Sequence, residues 1–142
     1  YRSTVANPES LTELLRVASL RTVRFDPFCF TPALCQAAAN AFMEGTAITN
    51  LEFDDCSFSA GESATILANS FSRKTSVSHI KVLSLFDEAL RGALAAALPS
   101  NSTLQVLSFE AHWWANPVAH VNWSPIFSAL GMNTGLKSLS LV

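Results

Sequence analysis

The side chains best suited to chemistry in this chain are its three histidines and three cysteines. A metal site built from His112, His120 and a cysteine is conceivable, but the spacing does not match the closely paired ligands of structural zinc sites. Cys56 follows a short apolar segment that recurs along the chain, at a position that favours burial. A buried thiol is usually inert. The sequence contains no phosphate-binding glycine loop and no nucleophile-elbow motif. We therefore expect no metal, no cofactor and no enzymatic activity.

Three acidic residues follow short apolar segments at comparable positions: Asp26, Asp54 and Glu110. If those segments are neighbouring strands, Asp26 and Asp54 would lie side by side, which is mildly destabilising. Such an arrangement favours an acidic strip that binds a basic protein partner. The alternative is that these charges serve solubility alone.

A second set of charges alternates in sign along the same segments: Arg24, Glu52 and Lys81. Neighbouring strands lie about 4.8 Å apart, so these side chains would be close neighbours in one row of a sheet. The row could contact a partner, or its charges could neutralise one another on a solvated face.

The longest insertion of the chain holds all three tryptophans. Long loops on a repeat scaffold are common binding sites, and tryptophan is a preferred interface anchor. Trp113 and Trp123 are therefore candidates for partner contact. Trp114 is expected to fill the buried position that Phe30 and Phe58 fill in earlier parts of the chain.

A short pattern that recurs along the chain must position these residues. Each copy reads apolar-x-x-apolar-x-apolar, the alternation of a strand with one buried face. Five copies, of which the third is degenerate, begin at Leu20, Ile48, Val77, Leu104 and Leu136. The intervals are 28, 29, 27 and 32 residues, and such a period is typical of a solenoid. A frame starting at Ile80 competes for the third copy, but Val77 gives more regular intervals.

Helix signals fill the gaps between the predicted strands. Ser59 to Glu62 is typical of a capping box, and Thr31 followed by Pro32 is typical of an N-cap with proline at the first helical position. Apolar residues then recur four positions apart, as in the series Leu90, Leu94 and Leu98. This spacing predicts one buried stripe on each helix.

The segment from Ile48 to Phe58 resembles the leucine-rich repeat pattern, with Cys56 at the position that carries Asn or Cys in that family. A strand, a turn and a helix at this period are similar to the ribonuclease-inhibitor type. The resemblance implies an α/β fold, a right-handed solenoid or horseshoe arc with parallel strands on the concave face and helices on the convex face. It covers roughly residues 8–142, although no unit carries Asn at the Asn/Cys position.

We assign one domain to residues 1–142. It comprises an N-terminal helix or partial repeat at 8–19, repeats at 20–47, 48–76, 77–103 and 104–135, and the start of a further, truncated repeat at 136–142. The last predicted strand would leave an apolar edge that needs a cover. The expectation is a fragment of a longer array, or an edge covered by another chain.

Composition narrows the classes of partner. Hydrophobic residues make up 49% of the chain and charged residues 14%, which is too apolar for a disordered protein. The net charge of −2 offers no basic field for nucleic acid. No apolar run approaches the roughly 20 residues of a membrane span. Three cysteines without paired spacing favour a reducing, intracellular (cytoplasmic) compartment.

The predicted function is that of a non-catalytic protein–protein interaction module. It would bind a protein partner through the concave sheet and the long loop of the fourth repeat. The acidic residues favour a partner with a basic surface. One alternative is a structural subunit of a larger assembly, which the low charge content and the apolar edge would suit. Another, implied by the resemblance, is a regulatory region like those of leucine-rich-repeat GTPase activators or immune receptors.

Overall fold

Strands and helices alternate along the chain in the computed structural model, which describes residues 7–59, 61–73, 75–83, 88–110 and 123–141. The main sheet consists of β1 (Thr22–Phe25), β3 (Asn50–Asp54), β5 (His79–Leu83), β6 (Val106–Glu110) and β7 (Ser138–Leu141). A smaller sheet consists of β2 (Cys29–Phe30) and β4 (Ser57–Phe58). The α-helices are α1 (Pro8–Leu15), α2 (Pro32–Glu44), α3 (Gly61–Asn69), α4 (Glu88–Ala97) and α5 (Ser124–Leu130).

Every strand pair of the main sheet is parallel, and the strands lie side by side in chain order. The chain therefore has a mixed α/β fold with a parallel sheet. Ile80 of β5 is aligned with Leu51 of β3 and with Leu107 of β6. This is the register that the frame starting at Val77 predicts, because a frame starting at Ile80 would have placed Leu83 opposite Leu51.

A repeated pair of backbone hydrogen bonds joins each strand entry to the next. The carbonyl of Arg21 accepts from the amides of Thr49 and Asn50, at 2.8 and 3.1 Å. The equivalent acceptors of the next three steps are the carbonyls of Thr49, Ser78 and Gln105. In each step two successive amides of the following strand donate to one carbonyl. Each interval of the sequence repeat therefore returns the backbone to an equivalent position.

The core lies where the inward residues of the strands meet the apolar stripes of the helices. The buried strand residues include Val23, Phe25, Leu51, Phe53, Ile80, Val82, Leu107 and Phe109. Equivalent aromatic residues stack on one another: Phe25 on Phe53 with centroids 5.7 Å apart, and Phe30 on Phe58 at 5.0 Å. Such pairs add to the free energy gained from burial. The helices pack against one another in chain order, as the strands do.

The start of α2 follows the predicted capping chemistry, the start of α1 is capped in the same way, and the start of α5 differs. Thr31 accepts a hydrogen bond from the Leu34 amide at 3.3 Å, and Asn7 accepts one from the Ser10 amide at 2.8 Å. Each satisfies an amide that the helix itself leaves unpaired. Helix α5, by contrast, begins at Ser124, preceded by Trp123. None of the helices in the described residues is long and apolar enough to cross a membrane.

The last two strand entries approach each other closely at Gly135. A Cβ atom at this position would lie 2.6 Å from the backbone carbonyl oxygen of Ser102. We expect Gly135→Ala to destabilise the fold by about 1–3 kcal/mol, because the two segments would have to separate. Urea unfolding followed by circular dichroism measures this change.

Gly92→Ala is the matched control for that substitution. Gly92 lies in α4, and a Cβ atom there would meet nothing within 4 Å. Because alanine is favoured over glycine inside a helix, this variant should gain about 0.5–1 kcal/mol. The close approach at Gly135 would be disproved if both alanine variants were more stable than the parent chain.

Candidate functional site

One side of the main sheet faces away from the core and is called the open face. Its side chains alternate with the buried ones along each strand and form rows across the sheet. The first row is Thr22, Asn50, His79, Val106 and Ser138, and the second is Arg24, Glu52, Lys81, Ser108 and Ser140. All of these residues are exposed or half-buried. The charged row predicted from Arg24, Glu52 and Lys81 is thus brought together on three adjacent strands.

Arg24 organises the charges at the β1 side of the open face. Its guanidinium donates a hydrogen bond to the carboxylate of Asp54 and lies 3.3 Å from that of Asp26. The bond to Asp54, reinforced by both carboxylate charges, raises the pKa of the guanidinium above its usual value. Arg24 is therefore held in place as a fixed cation between two anions.

This arrangement corrects the predicted acidic strip. Asp26 and Asp54 do lie near each other, but Arg24 bridges them, and Asp54 is only 4% exposed. A carboxylate that is buried beneath an arginine is not accessible for direct contact with a partner. Leu83 lies between Asp54 and Glu110 in the strand register. The three acidic residues therefore do not form a continuous negative surface.

Glu110 is held by a second group of polar contacts on the open face. Its carboxylate lies 3.3 Å from the ammonium nitrogen of Lys81, and it accepts a hydrogen bond of 3.4 Å from the Ser108 hydroxyl. Both charged side chains remain about one-third exposed. Exposed ion pairs of this kind contribute little to stability, so their main effect here is to orient the side chains.

Glu52 differs from the other carboxylates of the open face. It lies between Arg24 and Lys81 in the second row, yet both of those cations pair with other acids. Within the part of the chain that the structure describes, Glu52 forms no ion pair or hydrogen bond, although its charge acts on Arg24 at longer range. Beside it the sheet has a shallow depression of about 140 Å³.

The depression brings together residues that the sequence placed in separate repeats. Its polar lining is formed by Asn50, Glu52, His79, Lys81 and Ser108. Of these, only Glu52 and Lys81 are predicted contact residues. Asn50 and His79 belong to the neighbouring row of outward positions. The alternation of the strand residues could therefore have predicted that both lie on the open face.

The tryptophan candidates have different outcomes. Trp113 falls at a position outside the described residues, as do Trp114, His112 and His120. Trp123 is half-buried, and its ring lies edge-on to Phe109 with centroids 5.1 Å apart. The ring thus covers the core beside β6, and only part of it remains available to a partner.

The cysteines are in three different environments. Cys35 is buried and Cys56 half-buried, and burial raises the pKa of each thiol to about 12. The Cys56 thiol donates to the Phe25 carbonyl at 3.3 Å, so it links one unit to the preceding strand. Cys29 is exposed. Within the described ranges, no group of three or more histidine, cysteine or acidic residues is arranged to hold a metal ion.

Comparison with known proteins adds no assignment to this site. Neither a protein-family model nor a curated protein sequence matches the chain. The protein is therefore defined by its own features: a mixed α/β chain with a parallel sheet, one side of which presents ordered polar rows to solvent.

Proposed function

We propose that the chain is a solenoid of the leucine-rich-repeat kind, similar to the ribonuclease-inhibitor type, that binds a protein partner without catalysing a reaction. Three regularities support the solenoid: strands and helices both follow chain order, equivalent residues recur near every 28 positions, and each strand entry repeats the same backbone hydrogen bonds. In such an array the strands line the concave side, which is the usual binding surface.

The open face is the observation that carries the binding proposal. Its charges are held in defined positions by contacts across neighbouring strands, between Arg24 and Asp54 and between Lys81 and Glu110. Side chains that are already ordered lose less conformational entropy when a partner binds. Fixed charges also favour one partner and one orientation over others. A surface of this kind suits recognition better than the bare acidic strip would.

A structural subunit of a larger assembly is the second candidate function. It is favoured by two large apolar side chains near the last strand, Phe127 at 52% exposure and Met132 at 67%. Leu139 and Leu141 of β7 are also half-buried, whereas Leu107 and Phe109 at the equivalent positions of β6 are fully buried. A permanent partner that packs on these side chains would remove their apolar surface from water.

Site-specific photo-crosslinking tests the proposed function. A benzoylphenylalanine placed at His79 or Ser138, both exposed on the open face, should yield one crosslinked protein of the same mass in a lysate of the source organism. The same probe at Gln36 or Glu62, exposed on α2 and α3, should yield only background. Because partner contact brings the probe within bonding distance, the position of the crosslink reports the docking surface directly.

Two results would count against the proposal. Crosslinking from the helix positions at the same level as from the sheet would indicate nonspecific capture. Crosslinking at Met132 alone would move the interface to the end of the chain and favour the structural-subunit alternative, since Met132 lies in the most exposed apolar region described.

A further inference from the structure

We propose that the depression beside Glu52 receives a single arginine side chain of the protein partner. This inference rests on the proposed function, because it names the contact that would give the open face its specificity. The surface involved is defined by the polar lining of the depression, namely Asn50, Glu52, His79, Lys81 and Ser108.

The first step of the argument concerns which negative charge is available. Asp26 and Asp54 are engaged by Arg24, and Glu110 by Lys81. Glu52 has no such partner among the described residues, and it is half-buried rather than fully solvated. A carboxylate in this position has lost part of its water and gains only the longer-range charge of Arg24 in return. An incoming cation would add the direct ion pair that Glu52 lacks among the described residues.

The second step concerns the shape and the acceptors of the depression. Its volume of about 140 Å³ is several times what a single water molecule requires, so it has room for a planar side-chain head group. The side-chain oxygen of Asn50 accepts a hydrogen bond from the Thr49 hydroxyl at 2.8 Å and can accept a second one. The Ser108 hydroxyl donates to Glu110 and also keeps acceptor capacity.

This donor and acceptor balance favours arginine over lysine. A guanidinium carries five N–H groups in a plane, so it can serve Glu52 and one or two neutral acceptors together, whereas an ammonium is a compact point charge. The apolar lining of the depression includes Val106, against which the methylene stem of an arginine could pack. Lys81 opposes an incoming cation, but its ammonium group is paired with Glu110.

The charge of the whole face agrees with a cationic partner. Arg24 and Lys81 are its two cations, and its four carboxylates are those of Asp26, Glu52, Asp54 and Glu110. The surplus of two negative charges equals the formal net charge of −2 of the entire chain. A basic segment would be attracted to this surplus of negative charge.

A pair of matched peptides tests the inference by NMR with the isotope-labelled full chain. The first is acetyl-Gly-Ser-Arg-Ser-Gly-amide, and in the second citrulline replaces arginine, which keeps the shape and removes the charge. We expect the arginine peptide to give saturable shifts of the amides around Asn50–Glu52, His79–Lys81 and Val106–Ser108. The citrulline peptide should bind at least about tenfold more weakly, corresponding to about 1.4 kcal/mol.

Two variants make the assignment specific. Glu52→Gln should weaken binding of the arginine peptide about tenfold, while Glu62→Gln, which removes an exposed carboxylate of α3, should leave it unchanged. The amide spectrum of each variant shows whether it is folded. The inference is overturned if the arginine peptide gives no saturable shifts, if citrulline binds equally, or if Glu52→Gln has no effect. Failure here together with successful crosslinking from His79 would leave the proposed function standing without this contact.

Discussion

Replacing Leu51 with aspartate is expected to abolish cooperative folding at neutral pH. Leu51 is 1% exposed and lies in the middle of the main sheet, aligned with Val23 on one side and Ile80 on the other. An ionised carboxylate there would have no partner, and a neutral one would still leave polar atoms without hydrogen bonds. Losses above about 4–5 kcal/mol are exceptional for one substitution, but they arise from this cause. That loss approaches the whole stability of a typical domain.

The comparison with Asn50→Asp separates the effect of burying an aspartate from the effect of adding its charge to β3. Asn50 is the adjacent residue of β3 and lies half-buried on the open face. The same aspartate placed there stays in contact with water, so the change in stability should remain within about 1 kcal/mol. Thermal unfolding followed by circular dichroism measures both variants. A Leu51→Asp chain that melts like the parent would refute the assignment of strand residues to the core.

The strands were predictable because their signal is local and repeated. Leu51 and Phe53 alternate with Asn50 and Glu52, and the same alternation recurs at near-constant intervals. Once the intervals are known, the register of a parallel sheet follows without any further information, and it placed Val77 correctly at the start of the third copy. The finer arrangement as a solenoid remains a proposal.

The pairing of the charges was not predictable in the same way. The strand frame places Asp26 and Asp54 near each other, but it does not say where the long side chain of Arg24 points. In the structure Arg24 reaches past its own row and binds Asp54, which becomes buried. Such a contact depends on the side-chain rotamer and on competition between several acids, neither of which is encoded in residue spacing.

Trp123 shows a related limit. A large aromatic residue in a long insertion can anchor a partner or cover the core, and both roles have the same sequence signature. The edge-on contact with Phe109 shows that part of the Trp123 ring covers the core. Phe109 is a buried residue of β6, and residue spacing alone does not show that Trp123 packs against it.

Removal of the Asn101 side chain should cost about 3–5 kcal/mol of folding free energy. Asn101 is 4% exposed, donates to the Phe71 carbonyl and accepts from the amides of Thr103 and Leu104 at 3.0 and 2.7 Å. It therefore links the backbone that enters β6 to the backbone at Phe71, which follows α3. In Asn101→Ala these buried groups lose their partners, and each unsatisfied group costs about 1–3 kcal/mol. Urea unfolding with linear extrapolation measures the difference.

Asn133 provides the matched comparison, because it makes equivalent contacts one unit later, with one additional hydrogen bond to the Asn101 carbonyl. Its carbonyl accepts from the amides of Gly135 and Leu136 at 3.0 and 2.7 Å, and its amide donates to the carbonyls of Leu98 and Asn101. Asn133 is half-buried, so water can replace part of what Asn133→Ala removes, and we expect a loss of only about 1–2 kcal/mol. If Asn133→Ala were the more damaging variant, burial would not be what makes the asparagine at the strand entry stabilising.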